Sequence, residues 1–527
     1  MTPLRAAALG LLLGAAPLCA QAPADTAPRP IIRGVIIDRQ DIFDADEART
    51  SSLARFGNAI HTTTRRRVIE RELLFQPGEP FDSAKVAETA RNLRALGIFR
   101  RVLIDSIHTD SGTVLRVTTK DGWSTRPQLD FASTGGQTAW SVGIQELNLL
   151  GNAALGAISY ADTPDRTALT LSYYQPRALA DRVYVSAGYQ HRSDGRSVSA
   201  GVGQPFFSYA SRASLAVGAV DFDGDVLRFF DGDAVAGQVL RRRYDLVRAD
   251  GALALAASSH AFARLGLIAQ VRRDDFLDTG LVATAPFPHS VTGAVGPYLW
   301  LNRASFLVVH NYRNFAREED VDLSPALFLG AYAAPRAFGY ARDGLGVQGN
   351  LGAGARTPGG FVTLAAAASG LVTSGGLDSG TVRLTGRWLI QPSRFHSLVV
   401  MGQLGWQKNP VPGEEFDLGL SRGPRAFYAH AFTGDRLVNL LVEYRWTMVE
   451  DLWDALGVGL AAFVDHGGAW YSGSARRTGT DAGWGLRLGP RRSTDTDAVI
   501  SIDLAHRFAT DVQPAGWAVV VRRGVRF

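Results

Sequence analysis

Residues 419–423 read Gly-Leu-Ser-Arg-Gly, the Gly-x-Ser-x-Gly pattern of an activated serine nucleophile. That chemistry needs a strand before the serine and a helix after it, so that the hydroxyl stands exposed beside backbone N–H donors. Here Pro424 follows at once and the segments on either side alternate as strands do, so Ser421 reads as a loop residue. His430 and His506 have no partners at metal-ligand spacing and read as structural or interfacial. Asp221, Asp223 and Asp225 surround Gly224 in a run with the ligand type for calcium on a loop; the simpler reading is a solvated turn. No catalytic group, metal or cofactor is expected.

Alternation picks out a different set of charges. From residue 437, Val438, Leu440, Val442, Tyr444 and Trp446 fall on one face of a strand, and Leu437, Asn439, Leu441, Glu443 and Arg445 on the other. A second run sets Val458, Leu460, Ala462 and Val464 against Gly457, Gly459, Ala461, Phe463 and Asp465. Apolar outer walls, one ending in a Tyr and a Trp, opposite more polar inner walls are the pattern of transmembrane β-strands. Glu443, Arg445 and Asp465 therefore point into a lumen.

The rest of the chain supplies a barrel for them. Among 527 residues, 57 are Gly and one is Cys, and 46% are apolar, yet beyond the N-terminus no apolar run reaches the ~18 residues of a membrane helix. A net charge of +5, without a basic run longer than three, leaves no nucleic-acid footprint. Residues 1–22 read as a secretory signal, with Arg5 before an apolar core and a small-x-small site at Ala20-Gln21-Ala22; cleavage after Ala20 or Ala24 fits too. Leu18 before Cys19 argues against lipidation, and loss of Cys19 with the signal leaves no cysteine for a disulfide.

A Pro/Ala-rich linker spans 23–30, and a small α+β domain spans 31–124. Its expected order is a strand at 31–38, a helix capped by Thr62-Thr63-Thr64, a helix capped by Asp82 and ended by Gly97, and strands at 99–107 and 113–119 turning at Asp110-Ser111-Gly112. Residues 40–60 are left as an insertion, suited to an extra helix over the sheet. From 125 to 527 alternating segments of about ten residues, broken by Gly, Asp, Asn and Pro, form an all-β transmembrane barrel. Five strands follow Gly434 and between eleven and about seventeen precede it. The last strand sets Trp517, Val519, Val521, Val525 and Phe527 outward, and Arg523 falls on that lipid face.

Three stretches of the small domain, 64–74 (Thr-Arg-Arg-Arg-Val-Ile-Glu-Arg-Glu-Leu-Leu), 78–82 (Gly-Glu-Pro-Phe-Asp) and 93–99 (Leu-Arg-Ala-Leu-Gly-Ile-Phe), resemble a periplasmic POTRA domain. In the barrel, Arg-Gly-Pro-Arg-Ala-Phe at 422–427, Glu-Tyr-Arg at 443–445 and Phe-Val-Asp-His-Gly at 463–467 resemble the closing motifs of the BamA/TamA family of outer-membrane assembly barrels. Asn-Leu-Leu-Gly at 148–151 and the terminal Phe527 resemble that family's other signals. The resemblance implies about 16 antiparallel strands. It also implies a loop folded back into the lumen, with Arg425 pairing Asp465 beside Glu443 and Arg445, and Phe427 and Gly467 completing the site. Ala426 stands where the family has Gly, which would strain a left-handed tip.

The implied location is the outer membrane of a Gram-negative-type bacterium, with the small domain in the periplasm. The implied partners are the lipid bilayer, unfolded outer-membrane or secreted protein clients, and accessory periplasmic or lipoprotein subunits. The implied function, without enzymatic activity, is insertion, assembly or translocation of proteins through a seam between the first and last strands. A single POTRA-like domain points to a specialised or accessory role. A dedicated two-partner-type secretion transporter and a passive channel or surface barrel are the alternatives.

Overall fold

The computed structural model describes residues 30–109, 112–134, 136–179, 182–230, 233–277, 290–315, 318–420, 422–453, 455–490 and 498–524. The expected signal, all of the linker except Pro30, Ser421, and Val525 and Phe527 of the terminal signal lie outside them.

The N-terminal unit is a three-stranded sheet of β1 (Ile32–Gln40), β2 (Phe99–Thr109) and β3 (Gly112–Asp121), in the order β1-β3-β2. β1 runs parallel and β2 antiparallel to β3. Between β1 and β2 come α1 (Ala45–Thr50), α2 (Ser52–Ile60), α3 (Arg66–Glu72) and α4 (Ser83–Ala95). Val68, Ile69 and Leu93 of the helices close over Ile32, Phe99, Leu115 and Val117 of the sheet. Asp82 caps α4 by accepting the N–H groups of Ala84 and Lys85, and Gly97 ends it at φ 66. The cap expected of Thr62–Thr64 is not made. Arg65 holds that position without a side-chain bond, because the Thr64 N–H and hydroxyl both donate to the buried carboxylate of Asp121, at 2.7 and 2.9 Å. The threonine ties the helix start to the sheet instead. Residues 40–60 form two short helices, α1 and α2, rather than one.

The barrel closes with twenty strands, fifteen before Gly434 and five after it, so the implied sixteen is too few. The reason is visible in strands such as Gly344–Thr357 and Gly360–Thr373, which are built so heavily from Gly and Ala that apolar alternation nearly vanishes. Faces are legible where side chains are larger. In the sixteenth strand (Arg436–Leu452), Leu440, Tyr444 and Trp446 point outward and Asn439, Leu441, Glu443 and Arg445 are buried inside. The seventeenth (Leu456–Trp470) buries Phe463 and Asp465 and exposes Val464. In the twentieth (Gly516–Arg523), Trp517 and Val519 face out and Ala518 and Val520 face in. Arg523 stands opposite Ile500 on the outer face, at the last position of the strand rather than at mid-depth.

Strand length varies around the wall. The seventh to ninth strands (Ala213–Phe230, Asp233–Ala257, Ala261–Leu277) have 18, 25 and 17 residues, whereas the nineteenth (Ile500–Arg507) and twentieth have eight each. Asp221, Asp223 and Asp225 are not a turn: they lie on the seventh strand, where Arg241 reaches Asp223 at 2.6 Å and Asp225 at 3.0 Å. The N-terminal unit precedes the first strand (Thr125–Thr134) and marks one end of the barrel. The connections after even-numbered strands fall at that end, and residues 409–435, after the fifteenth strand (His396–Lys408), fall at the other.

Among the described residues no helix is long and apolar enough to cross a membrane. The barrel's exterior carries exposed apolar side chains such as Leu384, as a membrane-facing wall would, and that sets a test. Leu384, near the middle of the fourteenth strand (Gly376–Ser393), is exposed to the outside. Leu384→Arg is expected to lower unfolding stability in lipid vesicles by roughly 2–4 kcal/mol, while Thr385→Arg, one residue on and facing the lumen, changes it little. Urea titration of the two folded variants measures the difference.

Candidate functional site

The 409–435 segment turns back into the barrel. Its two ends pair as short strands, Phe416–Leu418 with Phe432–Gly434. Between them, Gly419 at φ 141 presses against the Tyr428 carbonyl, leaving no room for a Cβ, and Gly423 turns at φ 69. The tip from Pro424 to Phe427 is buried. Phe427 packs 5.1 Å from the Phe432 ring and fills the space over Gly479, where any side chain would collide with it.

At the tip the guanidinium of Arg425 is fully buried and saturated with carboxylates. It grips Asp465 with two prongs, Nε to Oδ2 at 2.7 Å and Nη2 to Oδ1 at 3.2 Å. Nη1 donates to Asp503 at 2.8 Å and to Glu443 at 3.3 Å. The Phe463 ring lies beneath it, 3.5 Å from Cζ. Two wall arginines complete the charge balance: Arg445 donates to Glu443 at 2.7 Å, and Arg487 bridges Glu443 at 3.0 Å and Asp503 at 2.6 Å. Three guanidinium groups thus meet three carboxylates, all buried. Removing any one leaves an uncompensated charge in a dry place.

The structure brings together Arg425, Glu443, Arg445 and Asp465, with Phe427 beside them. Gly467 lies further along the seventeenth strand, opposite Asn439, whose side chain occupies the position a Cβ would need. Ala426 needs no left-handed backbone and is not strained. Its methyl packs on Phe463, Ala505 and Ala518, its N–H donates to Asp481 at 2.8 Å, and its carbonyl accepts from Thr134 and Arg507. Trp517, Val519 and Val521 belong to the outer wall, away from the cluster.

Asp503, Arg487, Asp481 and Arg507 were not singled out in the sequence. Strand alternation sets Asp503 and Arg507 on one face and Ile502, Leu504 and His506 on the other, but nothing local marks which inward charges meet a loop from another part of the chain.

A second fastening holds the loop nearer its mouth. His430 at φ 58 stacks on Phe229 and donates from one ring nitrogen to Asp417 at 2.7 Å and from the other to Asp165 at 2.8 Å. Burial opposes its charge, but the two carboxylates outweigh burial and push its pKa up to about 9. Burial likewise raises the Asp165 carboxyl, yet the His430 bond leaves it below its ordinary range.

At the opposite end, residues 146–151 join the barrel to the N-terminal unit. Asn148 donates to the Thr62 carbonyl and the Thr64 hydroxyl, and the Arg65 N–H donates to the Gly151 carbonyl. Glu146 collects the hydroxyls of Ser124 and Thr125.

No protein-family profile matches the chain, and no curated protein does. Solved structures similar to it include CdiB from Acinetobacter baumannii, at 11% identity and TM-score 0.46, over 94% of this chain and 74% of that one. CdiB from Escherichia coli aligns at 13% identity and TM-score 0.45, over 97% and 93%. BamA from Haemophilus ducreyi lacking POTRA domains 1–3 aligns at 13% and 0.39, over 95% and 86%. These likenesses are too loose to carry an argument about function.

Arg425→Ala takes from Asp465 its two-pronged partner and from Asp503 one of its two arginines, and is expected to destabilise the folded barrel by about 3–5 kcal/mol, with Arg425→Lys between it and wild type. The measurement is the urea midpoint of the folded barrel in vesicles. For His430 the folded pKa lies above the unfolded value, so its contribution is complete below about 6.5 and is lost as pH rises through about 9. Trypsin cleavage after the exposed Arg422 should therefore accelerate between pH 7 and 10. In His430→Ala it should be fast throughout; a wild-type rate that follows trypsin's own pH profile would refute this fastening.

Proposed function

We propose that this chain is an outer-membrane β-barrel that assists the insertion, assembly or translocation of other proteins. Its N-terminal unit acts as a periplasmic POTRA-like client-binding domain, and its first and last strands form a seam that clients use. The observation that carries this reading is the seam itself. Among the described residues the twentieth strand pairs with the first over only four positions, Ala518 with Thr134 to Val521 with Phe131. Its neighbour on the other side, the nineteenth, pairs with it over eight, and the first pairs with the second (Gln137–Glu146) over ten. Past Val521 the strands part: Asp130 accepts the Arg523 N–H with its side chain instead of continuing the ladder.

A strand whose ladder stops short leaves backbone donors and acceptors open to an incoming strand. Among the described residues, 128–130 of the first strand offer that edge, close after the N-terminal unit. The buried Arg425 cluster supports the same reading from inside, because a barrel with a weak seam needs bracing elsewhere. Arg425 draws together the sixteenth, seventeenth and nineteenth strands, and Arg507 ties the Ala426 carbonyl to Thr134 of the first. No step needs a nucleotide or a catalytic group; client pairing supplies the free energy.

The test is to close the seam. Phe131→Cys and Val521→Cys face each other across it, and the sequence has one other cysteine, Cys19. The outer-membrane and secreted proteomes are then quantified with the disulfide formed and after reduction. Reversible depletion of a set of barrel proteins is the expected result. Loss of one secreted protein with barrels untouched means a dedicated exporter, and no change in either sinks the seam mechanism in favour of a passive barrel.

A further inference from the structure

The tenth strand (Ser290–Arg303) and the eleventh (Ala326–Ala334) are joined by a hairpin rather than a turn. Its arms, Phe306–His310 and Glu318–Asp322, pair antiparallel and fold inward across the lumen wall at the N-terminal-unit end. On the wall beneath lie Phe361, Leu389, Val399, Met401 and Leu441, all buried and packed on Val309, Tyr312 and Leu323 of the hairpin. Five large apolar side chains facing a lumen would be costly in water, so this wall is built to be covered.

The far end of the hairpin has its own socket. Phe315 sits over Gly457, Gly459 and Gly489, and a side chain at any of the three would run into its ring. Arg445, a member of the charge cluster, donates its remaining Nη1 to the Tyr312 carbonyl at 2.7 Å. Loop 409–435 and the hairpin therefore enter from opposite ends and are linked through the Glu443–Arg445 pair. The near end, on both arms, is held from outside the barrel: Arg94 of α4 bonds Asp320 at 2.7 Å, and Arg91 lies 4.4 Å over the Phe306 ring. α4 also spans to the seventh strand's approach, with Glu88 accepting the Tyr209 N–H and Asn92 donating to the Phe207 carbonyl.

We propose that this hairpin is a displaceable inner plug, and that α4 is the latch that keeps it across the lumen. The floor of three glycines and the apolar wall define its seated position. The Arg94–Asp320 ion pair to α4 is partly exposed and can be broken from the N-terminal unit without disturbing the barrel wall. Movement of α4 releases the near end, and withdrawal of Tyr312 frees Arg445 from the carbonyl that orients it against Glu443. This inference stands on the lumen geometry and does not require the seam mechanism.

Single-channel conductance of the full chain in planar bilayers tests it without any client. The hairpin enters and leaves side by side, with Leu323 N–H bonded to the Ser305 carbonyl, so residues 306–322 can be replaced by Gly-Gly. Wild type should be nearly silent and the deletion should conduct steadily. Arg94→Ala should flicker between the two levels, and Arg94→Asp with Asp320→Arg should return to silence. As a variant that fastens the hairpin's far end to the wall covalently, Phe315→Cys with Gly457→Cys should stay closed even with Arg94→Ala and begin to flicker on reduction. A folded deletion barrel, shown by its heat-dependent mobility shift, that is as silent as wild type overturns the plug. So does flickering that persists with the disulfide formed. Unchanged silence in Arg94→Ala overturns the latch.

Discussion

The guanidinium of Arg425 is the point on which the interior depends. It is fully enclosed, and three carboxylates on three different strands spend their charge on it. Such a cluster adds little net stability compared with a well-packed apolar interior. What it adds is position, because a two-pronged bond to Asp465 accepts one orientation of the loop tip and rejects the rest. The apolar contacts of Ala426 and Phe427 then become available only at that depth. Position here comes from electrostatics, and packing follows.

Charges also connect the two ends of the lumen. Glu443 is shared by Arg425 from the far loop and by Arg445 and Arg487 from the wall, and Arg445 in turn holds the inward hairpin. The N-terminal unit joins the same chain of contacts through Arg94 on one side and Asn148 on the other. The interior is thus a relay of hydrogen-bonded parts, each with a fixed neighbour, spanning the barrel from one rim to the other.

Much of this was legible in the sequence because a strand has a period of two. Faces could be assigned for Val438 to Trp446 and for Gly457 to Asp465 without any structure, and the inward charges Glu443, Arg445 and Asp465 fell out of that rule. Strand number did not, since Gly and Ala carry almost no face signal in segments such as 360–373. Nor did the hairpin at 304–325: Phe-Leu-Val-Val-His has the composition of a short wall strand, and only tertiary packing turns it inward. Thr64 shows the same limit on a smaller scale, where a local cap lost to a distant carboxylate. Asp503 was invisible as a partner because the loop residue it meets, Arg425, lies 78 residues away in sequence, and Arg487 because Glu443 lies 44 away, beyond any motif window.

The unequal strand lengths bear on the surrounding lipid. A strand needs about 9–11 residues to cross a bilayer, and the nineteenth and twentieth have eight each, while the seventh to ninth have far more than enough. Acyl chains touching the short side must compress, at a modest free-energy cost for each ångström of mismatch. The barrel therefore sits in a lopsided collar, thick along one flank and pinched along the other. The pinched flank is where its own wall is least well sewn.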